Sequence, residues 1–103
     1  MPHMHEHALR HRSTRERLVA LSDEWARLDG RAHALQEQGP AQVTVNWILR
    51  RKAVIRQTML ETPAATMAGV GAKHRIAMAH GNEALDEDLL ESAENDVVRL
   101  VYG

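Results

Sequence analysis

Four histidines near the N-terminus are the first residues whose type and spacing suit chemistry. They are His3, His5, His7 and His11. On a helix, His7 and His11 lie one turn apart on the same face, and two imidazoles at that spacing can bind one metal ion. A third ligand such as Glu6 points elsewhere, and the chain has no cysteine. We therefore interpret residues 1–12 as a His-rich, solvated extension that can continue a helix, and we predict no metal site.

A second group with chemical potential is basic. Its members are Arg50, Arg51, Lys52 and Arg56. A helix that carries them can contact nucleic-acid phosphates. The four side chains fan around a helix, however, and residues 61–103 hold three Lys/Arg against eight Asp/Glu, which disfavours DNA. We interpret the group as a solvated face or as a partner for an acidic fourth helix, and nucleic-acid binding is the alternative.

Catalytic arrangements are poorly represented. His74 and His80 have no paired carboxylates nearby in sequence, and no glycine-rich phosphate loop or metalloprotease motif occurs. The absence of cysteine also excludes a thiol nucleophile, a thiolate zinc site and a disulfide scaffold. The sequence predicts a protein that is not an enzyme, with no catalytic residue, cofactor or small-molecule substrate. We interpret His74 as a core or interface histidine.

The composition favours an all-α protein. The chain has 103 residues, 44% of them hydrophobic but only 3% aromatic, so its core must come from Leu, Val, Ile, Ala and Met. That length suits a single domain over residues 1–103. No apolar stretch approaches the roughly 20 residues of a membrane span, and the first residues lack the apolar segment of a secretory signal. We expect a soluble cytoplasmic protein without membrane contact.

A stripe of apolar residues at alternating spacings of three and four predicts the first helix. It consists of Leu18, Leu21, Trp25, Leu28, Ala32 and Leu35. On a helix these side chains share one coiled-coil-like seam. Ser13 and Glu16 form a capping box that predicts the start of the helix, and a start near Pro2 is the alternative. The Gly-Pro pair at 39–40 predicts its end near Gln38.

The second helix is predicted at about residues 41–61, antiparallel to the first because the connection is short. Its apolar side chains are Val43, Val45, Trp47, Ile48, Leu49, Ala53, Val54, Ile55, Met59 and Leu60. Only a narrow polar strip of Asn46, Arg50 and Gln57 is uninterrupted, so we expect this helix to be covered on several sides. A short strand through the Val-Thr-Val run is the alternative for its start.

Two shorter helices are predicted in the C-terminal part. The proline at 63 ends the second helix, because the residue before a proline is pushed out of the α region. Thr66 is the predicted N-cap of a third helix at about 67–80. Asn82 is the predicted N-cap of a fourth helix at about 83–101, whose first residues are acidic and suit the helix dipole. The fold class is therefore all-α with four helices.

The segment that follows the second helix carries a short motif. With Trp25 upstream, its residues are Thr62, Pro63, Ala64, Thr66, Gly69, Ala72 and Lys73. This pattern resembles a T-P-A-x-T-x-x-G-x-x-A-K segment of uncharacterised small helical proteins of bacterial genomes and prophages. The resemblance implies a helical hairpin and a phage-related or mobile-element accessory protein, and it transfers no catalytic residue. Gly69 and Gly71 within the segment predict close contact with a neighbouring helix.

The excess of apolar surface on the second helix is the main functional indication. The predicted interface residues are Leu18, Leu21, Trp25, Leu28, Leu35, Trp47, Ile48 and Ile55. We predict a non-enzymatic protein–protein interaction protein, such as an adaptor or an inhibitor of a host protein, that forms a homo-oligomer or binds a protein partner. The alternative is a nucleic-acid-associated oligomer, for instance a small DNA-packaging or regulatory subunit, with the basic group on phosphate.

Overall fold

A computed structural model gives four helices in the part of the chain that it describes. The structure describes the backbone of residues 2–38, 42–79 and 85–103, and the side chains of residues 17–37, 42–79 and 85–103. The helices are α1 (Pro2–Gln38), α2 (Gln42–Glu61), α3 (Met67–Ala77) and α4 (Glu87–Tyr102). No strand occurs within these ranges, which confirms the all-α class.

The first helix is longer than its capping box predicts. It begins at Pro2, so the start at Ser13 is wrong and the alternative start is confirmed. Proline suits this position because the first N–H groups of a helix have no intrahelical partner. No glycine or further proline precedes Gly30, so nothing in the sequence interrupts the helix before that point. The end at Gln38 agrees with the prediction.

The second helix has the predicted bounds, and the Val-Thr-Val run at its start is helical rather than a strand. Its buried side chains are Val45, Ile48, Ile55 and Met59. Val43, Trp47, Leu49 and Val54 are exposed instead. The expectation that α2 is covered on several sides is therefore wrong for the single chain. The rest of the chain covers one side of α2 and leaves apolar residues exposed on the other.

The third helix begins as predicted. The hydroxyl oxygen of Thr66 accepts a hydrogen bond from the N–H of Gly69 at 3.4 Å, which confirms Thr66 as the N-cap. The helix ends at Ala77 rather than near residue 80, because Met78 and Ala79 form a turn. His74 is exposed, so it is not a core residue.

The two glycines of α3 have different surroundings. A Cβ atom on Gly69 would lie 3.0 Å from Cδ1 of Leu18 and 3.1 Å from Cβ of Ala64, which confirms the predicted close contact with α1. A Cβ atom on Gly71 would have no neighbour within 4 Å, so the same prediction is wrong there. The difference follows from the side of α3 that each residue occupies, since Gly69 is buried and Gly71 is exposed.

The fourth helix begins at Glu87, later than predicted. Its N-cap is Asp86, whose carboxylate accepts a hydrogen bond from the N–H of Leu89 at 3.3 Å. Asn82, the predicted cap, lies outside the described residues, but residues 85 and 86 precede the helix. The same Asp86 carboxylate accepts a hydrogen bond from Arg56 of α2 at 2.8 Å. Both contacts hold the acidic side chain at the start of the helix.

All four helices contribute to one buried apolar cluster. It contains Leu18, Trp25, Ile55, Met59, Ala64, Val70, Ala72, Ile76, Ala77, Leu89 and Ala93. The third helix contacts both α1 and α4, so it connects the first helix to the fourth. Within the described ranges, no helix combines the length and apolar character that would let it cross a membrane.

Candidate interaction face

The outer side of α2 carries several exposed apolar residues. Val43, Trp47 and Val54 are 83%, 62% and 53% exposed. Steps of four and seven residues place them on one strip of the helix, and Arg50 lies on the same strip between Trp47 and Val54. An exposed tryptophan beside two exposed valines is unusual for a surface that meets only water, and such patches mark binding sites. We name these four residues the α2 strip.

The other predicted interface residues lie mostly in the interior. Leu18, Trp25, Ile48 and Ile55 are buried within the chain. Leu21, Leu28 and Leu35 are half-buried, and the first two pack against the core cluster. Trp47 is therefore the one predicted interface residue that is exposed in the described structure. An interface formed by all eight residues stays a prediction. The exposure of Trp47 favours α2 as the part of that set that can contact a partner.

Three members of the basic group are paired with carboxylates. Arg51 donates two hydrogen bonds to Glu24 of α1, at 2.7 and 3.0 Å. This contact lowers the pKa of Glu24 and raises that of Arg51. Lys52 donates to Asp29 at 2.6 Å, and its Nζ lies 4.3 Å from the ring centroid of Trp25.

Arg56 makes the corresponding link from α2 to the start of α4. It donates to Asp86 at 2.8 Å and lies 3.6 Å from a carboxylate oxygen of Asp88. The hydrogen bond from Asp86 raises the pKa of Arg56. The interpretation of a basic residue as a partner for the acidic fourth helix is confirmed for Arg56. In the described part of the chain, Arg50 is exposed and no carboxylate pairs with it.

A charged network is buried between α3 and α4. Lys73 is 1% exposed, and its Nζ donates hydrogen bonds to Asp96 at 2.6 Å and to Ser92 at 2.9 Å. The Asp96 carboxylate also accepts from the N–H of Ala64 at 3.1 Å and from Arg99 at 3.0 Å. Arg99 donates further to the carbonyl of Ala64. The network thus fixes the connection between α2 and α3 to the last helix.

The carboxylate of Asp96 stays ionised because its partners outweigh its burial. Burial alone raises the pKa of this group, but the hydrogen bonds from Lys73, Arg99 and the Ala64 N–H together lower it below its ordinary value. A buried carboxylate without such partners would favour its neutral form. The network is therefore internally satisfied, and we interpret it as structural.

An open cleft of about 360 Å³ lies beside this network. Its lining includes Lys73 and Asp96 together with Asp88, Glu91 and Asn95. At the cleft, Nζ of Lys73 lies 2.6 Å from a carboxylate oxygen of Asp96. The cleft is acidic at its rim. Ser92 also lines it, and the Ser92 hydroxyl oxygen accepts the hydrogen bond from Lys73 at 2.9 Å.

The histidines give no composite site in the described part of the chain. The side chains of His3, His5, His7 and His11, and all of His80, lie outside the described residues. Where side chains are described, no three His, Asp or Glu residues are grouped closely enough to hold a metal ion. Nδ1 of His33 donates a hydrogen bond to the backbone carbonyl of Asp29 at 2.8 Å, a local contact on α1.

Sequence reasoning missed the Lys73–Asp96 pair. A signal was present, because each residue stands within an apolar helical pattern: Lys73 falls between Val70 and Ile76, and Asp96 follows Ala93 by three positions. A charged residue of each sign on two inward faces indicates a buried ion pair. The motif that suggested a family resemblance also has a physical role here. Thr66 caps α3, Gly69 allows its close packing, and Ala64 and Lys73 bond to residues of α4.

Comparisons of the chain with protein-family models, with curated proteins and with solved structures found no match.

Proposed function

We propose that this chain is a non-enzymatic, cytoplasmic protein–protein interaction protein that binds its partner through the α2 strip. The observation that carries the proposal is the 62% exposure of Trp47 on the strip it shares with Val43 and Val54. Tryptophan is enriched at the centres of protein interfaces, because its large ring gains much from desolvation at a small entropic cost. An adaptor or an inhibitor that occupies the surface of another protein fits this description, as the accessory role implied by the family resemblance would require.

The proposal includes an antiparallel hairpin of α1 and α2 with a coiled-coil-like seam. The short connection between Gln38 and Gln42 supports it, as do the two ion pairs that join the helices, Arg51 with Glu24 and Lys52 with Asp29. In this arrangement the inner side of α2 is occupied by α1 and the core. The strip on the opposite side then has a rigid support for binding.

Nucleic-acid binding through the basic group is less well supported. Arg51, Lys52 and Arg56 each have a carboxylate partner within the chain. Phosphate would have to compete with those carboxylates, and within the basic group Arg50 alone is exposed with no such pair to a described residue. One arginine supplies little of the counterion release on which DNA affinity depends. This alternative stays a prediction and does not displace the first.

The test compares the native protein with Trp47→Ser. Native mass is measured over a range of micromolar concentrations, and tagged protein is used to capture partners from the source cell. We expect the native protein to form an assembly or a specific complex, and the variant to lose it. Because Trp47 is exposed, circular dichroism should show the same helix content for both proteins.

Tyr102→Ser is the matched control, since Tyr102 is an exposed aromatic residue on a different helix, α4. It should retain every complex of the native protein. If Trp47→Ser behaves like the native protein in both measurements, the α2 strip is not the interaction site and the proposal fails.

A further inference from the structure

The four residues of the α2 strip are arranged symmetrically along the helix. Val43 and Val54 are equally distant from the level midway between positions 48 and 49, and so are Trp47 and Arg50. A second copy of α2, turned antiparallel about a two-fold axis at that level, therefore presents its Val54 to Val43 and its Arg50 to Trp47. The strip is complementary to itself.

We propose that the partner of the α2 strip is a second copy of this chain, bound antiparallel about that two-fold axis. The inference rests on the proposed function and specifies its partner. Charge complementarity supports it, because an arginine of one copy meets the indole ring of the other, and a guanidinium over a tryptophan face is attractive. In the described part of the chain, Arg50 has no ion pair and the ring of Trp47 has no cation over it, so both groups are available.

The parallel arrangement of two strips is disfavoured by the same residues. It would place Arg50 directly against the Arg50 of the other copy, and like charges in a desolvated contact repel. It would also leave both indole rings without a cation. The antiparallel arrangement makes each favourable contact twice, once on either side of the axis.

The contact area limits the strength of this dimer. The strip covers about three turns of one helix and offers two valines, one tryptophan and one arginine per copy. This is less than a standard interface buries, and small interfaces belong to weak or transient complexes. We expect dissociation in the micromolar range, so monomer and dimer should both be visible in solution.

Cysteine cross-linking tests the geometry directly, because the chain contains no cysteine. Val43→Cys and Val54→Cys are made as separate variants, mixed and oxidised gently. Antiparallel pairing brings residue 43 of one copy opposite residue 54 of the other, so the mixture should form a disulfide-linked heterodimer. In each variant alone the two cysteines of a dimer lie about 16 Å apart along the helix, too far for a disulfide.

Two controls sharpen the result. Trp47→Ser added to both cysteine variants should abolish the cross-link in the mixture. Arg50→Glu should weaken dimerisation about 5- to 30-fold, because two cation–π contacts are lost and two carboxylates face indole rings. Arg50→Lys keeps the cation and should retain most of the affinity. Equal affinities for Arg50→Glu and Arg50→Lys would overturn the proposed contact.

Failure of the geometry is distinguishable from failure of the proposed function. Cross-links within each single variant mean parallel pairing, which overturns the antiparallel dimer but keeps the strip as an interface. A native monomer that captures another protein only when Trp47 is present shows that the occupant is not a second copy. A native monomer without any Trp47-dependent complex removes both proposals.

Discussion

Two regions of this protein depart from the usual distribution of polar and apolar side chains, in opposite directions. Between α3 and α4, Lys73 and Asp96 are buried as an ion pair with every side-chain polar atom satisfied. On the outer side of α2, Trp47 and two valines face solvent. The buried charges have partners inside the chain, so they need nothing further. The exposed apolar strip has no partner inside the described part of the chain, so it is free to bind another molecule.

Folding stability and binding depend on different regions of this protein. Removal of one member of the buried network should damage folding, whereas substitution on the strip should damage assembly and leave folding intact.

Asp96→Ala should have the largest effect. It leaves Lys73 buried without its counter-ion and the N–H of Ala64 without its acceptor, so the free energy of unfolding should fall by about 3–5 kcal/mol. Urea unfolding followed by circular dichroism measures this change. Asp88→Ala is the control, because Asp88 is an exposed partner of Arg56 and its loss should cost less than about 1 kcal/mol. Similar losses for the two variants would contradict a structural role of the buried network.

Acid should weaken the same network without any mutation. The pKa of Asp96 is lowered in the folded protein, so the unfolded chain binds this proton more readily. The corresponding stability is complete above the unfolded pKa of about 3.9 and is lost as the pH falls through the lower folded value. The free energy of unfolding, measured from neutral to acidic pH, should therefore decrease once the pH drops below about 4. Asp96→Asn should flatten part of this dependence, and an unchanged slope would show that other carboxylates carry it.

The two glycines of α3 allow a matched test of the packing around the network. Gly69→Leu forces atoms against Leu18 and Ala64, and overpacking of this kind should cost about 1–3 kcal/mol. Gly71→Leu meets open space and replaces a poor helix former, so it should be neutral or stabilising by up to about 1 kcal/mol. Thermal unfolding of the pair gives the comparison. Equal effects would mean that α3 does not approach α1 as closely as these distances state.

Val54→Ser on the strip should have the smallest effect on folding. The side chain is exposed, so the free energy of unfolding should change by less than about 0.5 kcal/mol when measured at low protein concentration. The native mass at high concentration should shift toward the monomer in the same variant. A large loss of folding stability would place Val54 in the core and break the contrast between the two regions.

The sequence allowed much of the fold to be predicted, because periodicity and punctuation act locally. The all-α class, the bounds of α2, the end of α1 and the Thr66 cap all follow from spacing, glycine, proline and capping residues. The start of α4 could not be predicted in this way. Asn82 and Asp86 are both good caps by type, and the choice of Asp86 depends on Arg56, a residue of another helix.

The candidate site, like the fold, could be predicted only in part from the sequence. The apolar excess of α2 was evident from its composition, but which residues the core would cover depends on how α1 and α3 pack against it. Trp25 and Trp47 are equally apolar in sequence, yet one is buried beneath Lys52 and the other is exposed. Local apolar patterns mark Lys73 and Asp96 as facing inward, but they do not specify that these two residues, 23 positions apart, pair with each other.

The tie between Ala64 and the last helix has a consequence for the order of events during synthesis. The carbonyl of Ala64 is bound by Arg99, which lies 35 positions later in the chain. At a translation rate of about 5–20 residues per second, seconds pass between the emergence of the two residues. Until then the amine of Lys73 has no carboxylate and the connection before α3 has no anchor. The contacts of Lys73 with Asp96 and of Ala64 with Arg99 can therefore form only after α4 has been synthesised.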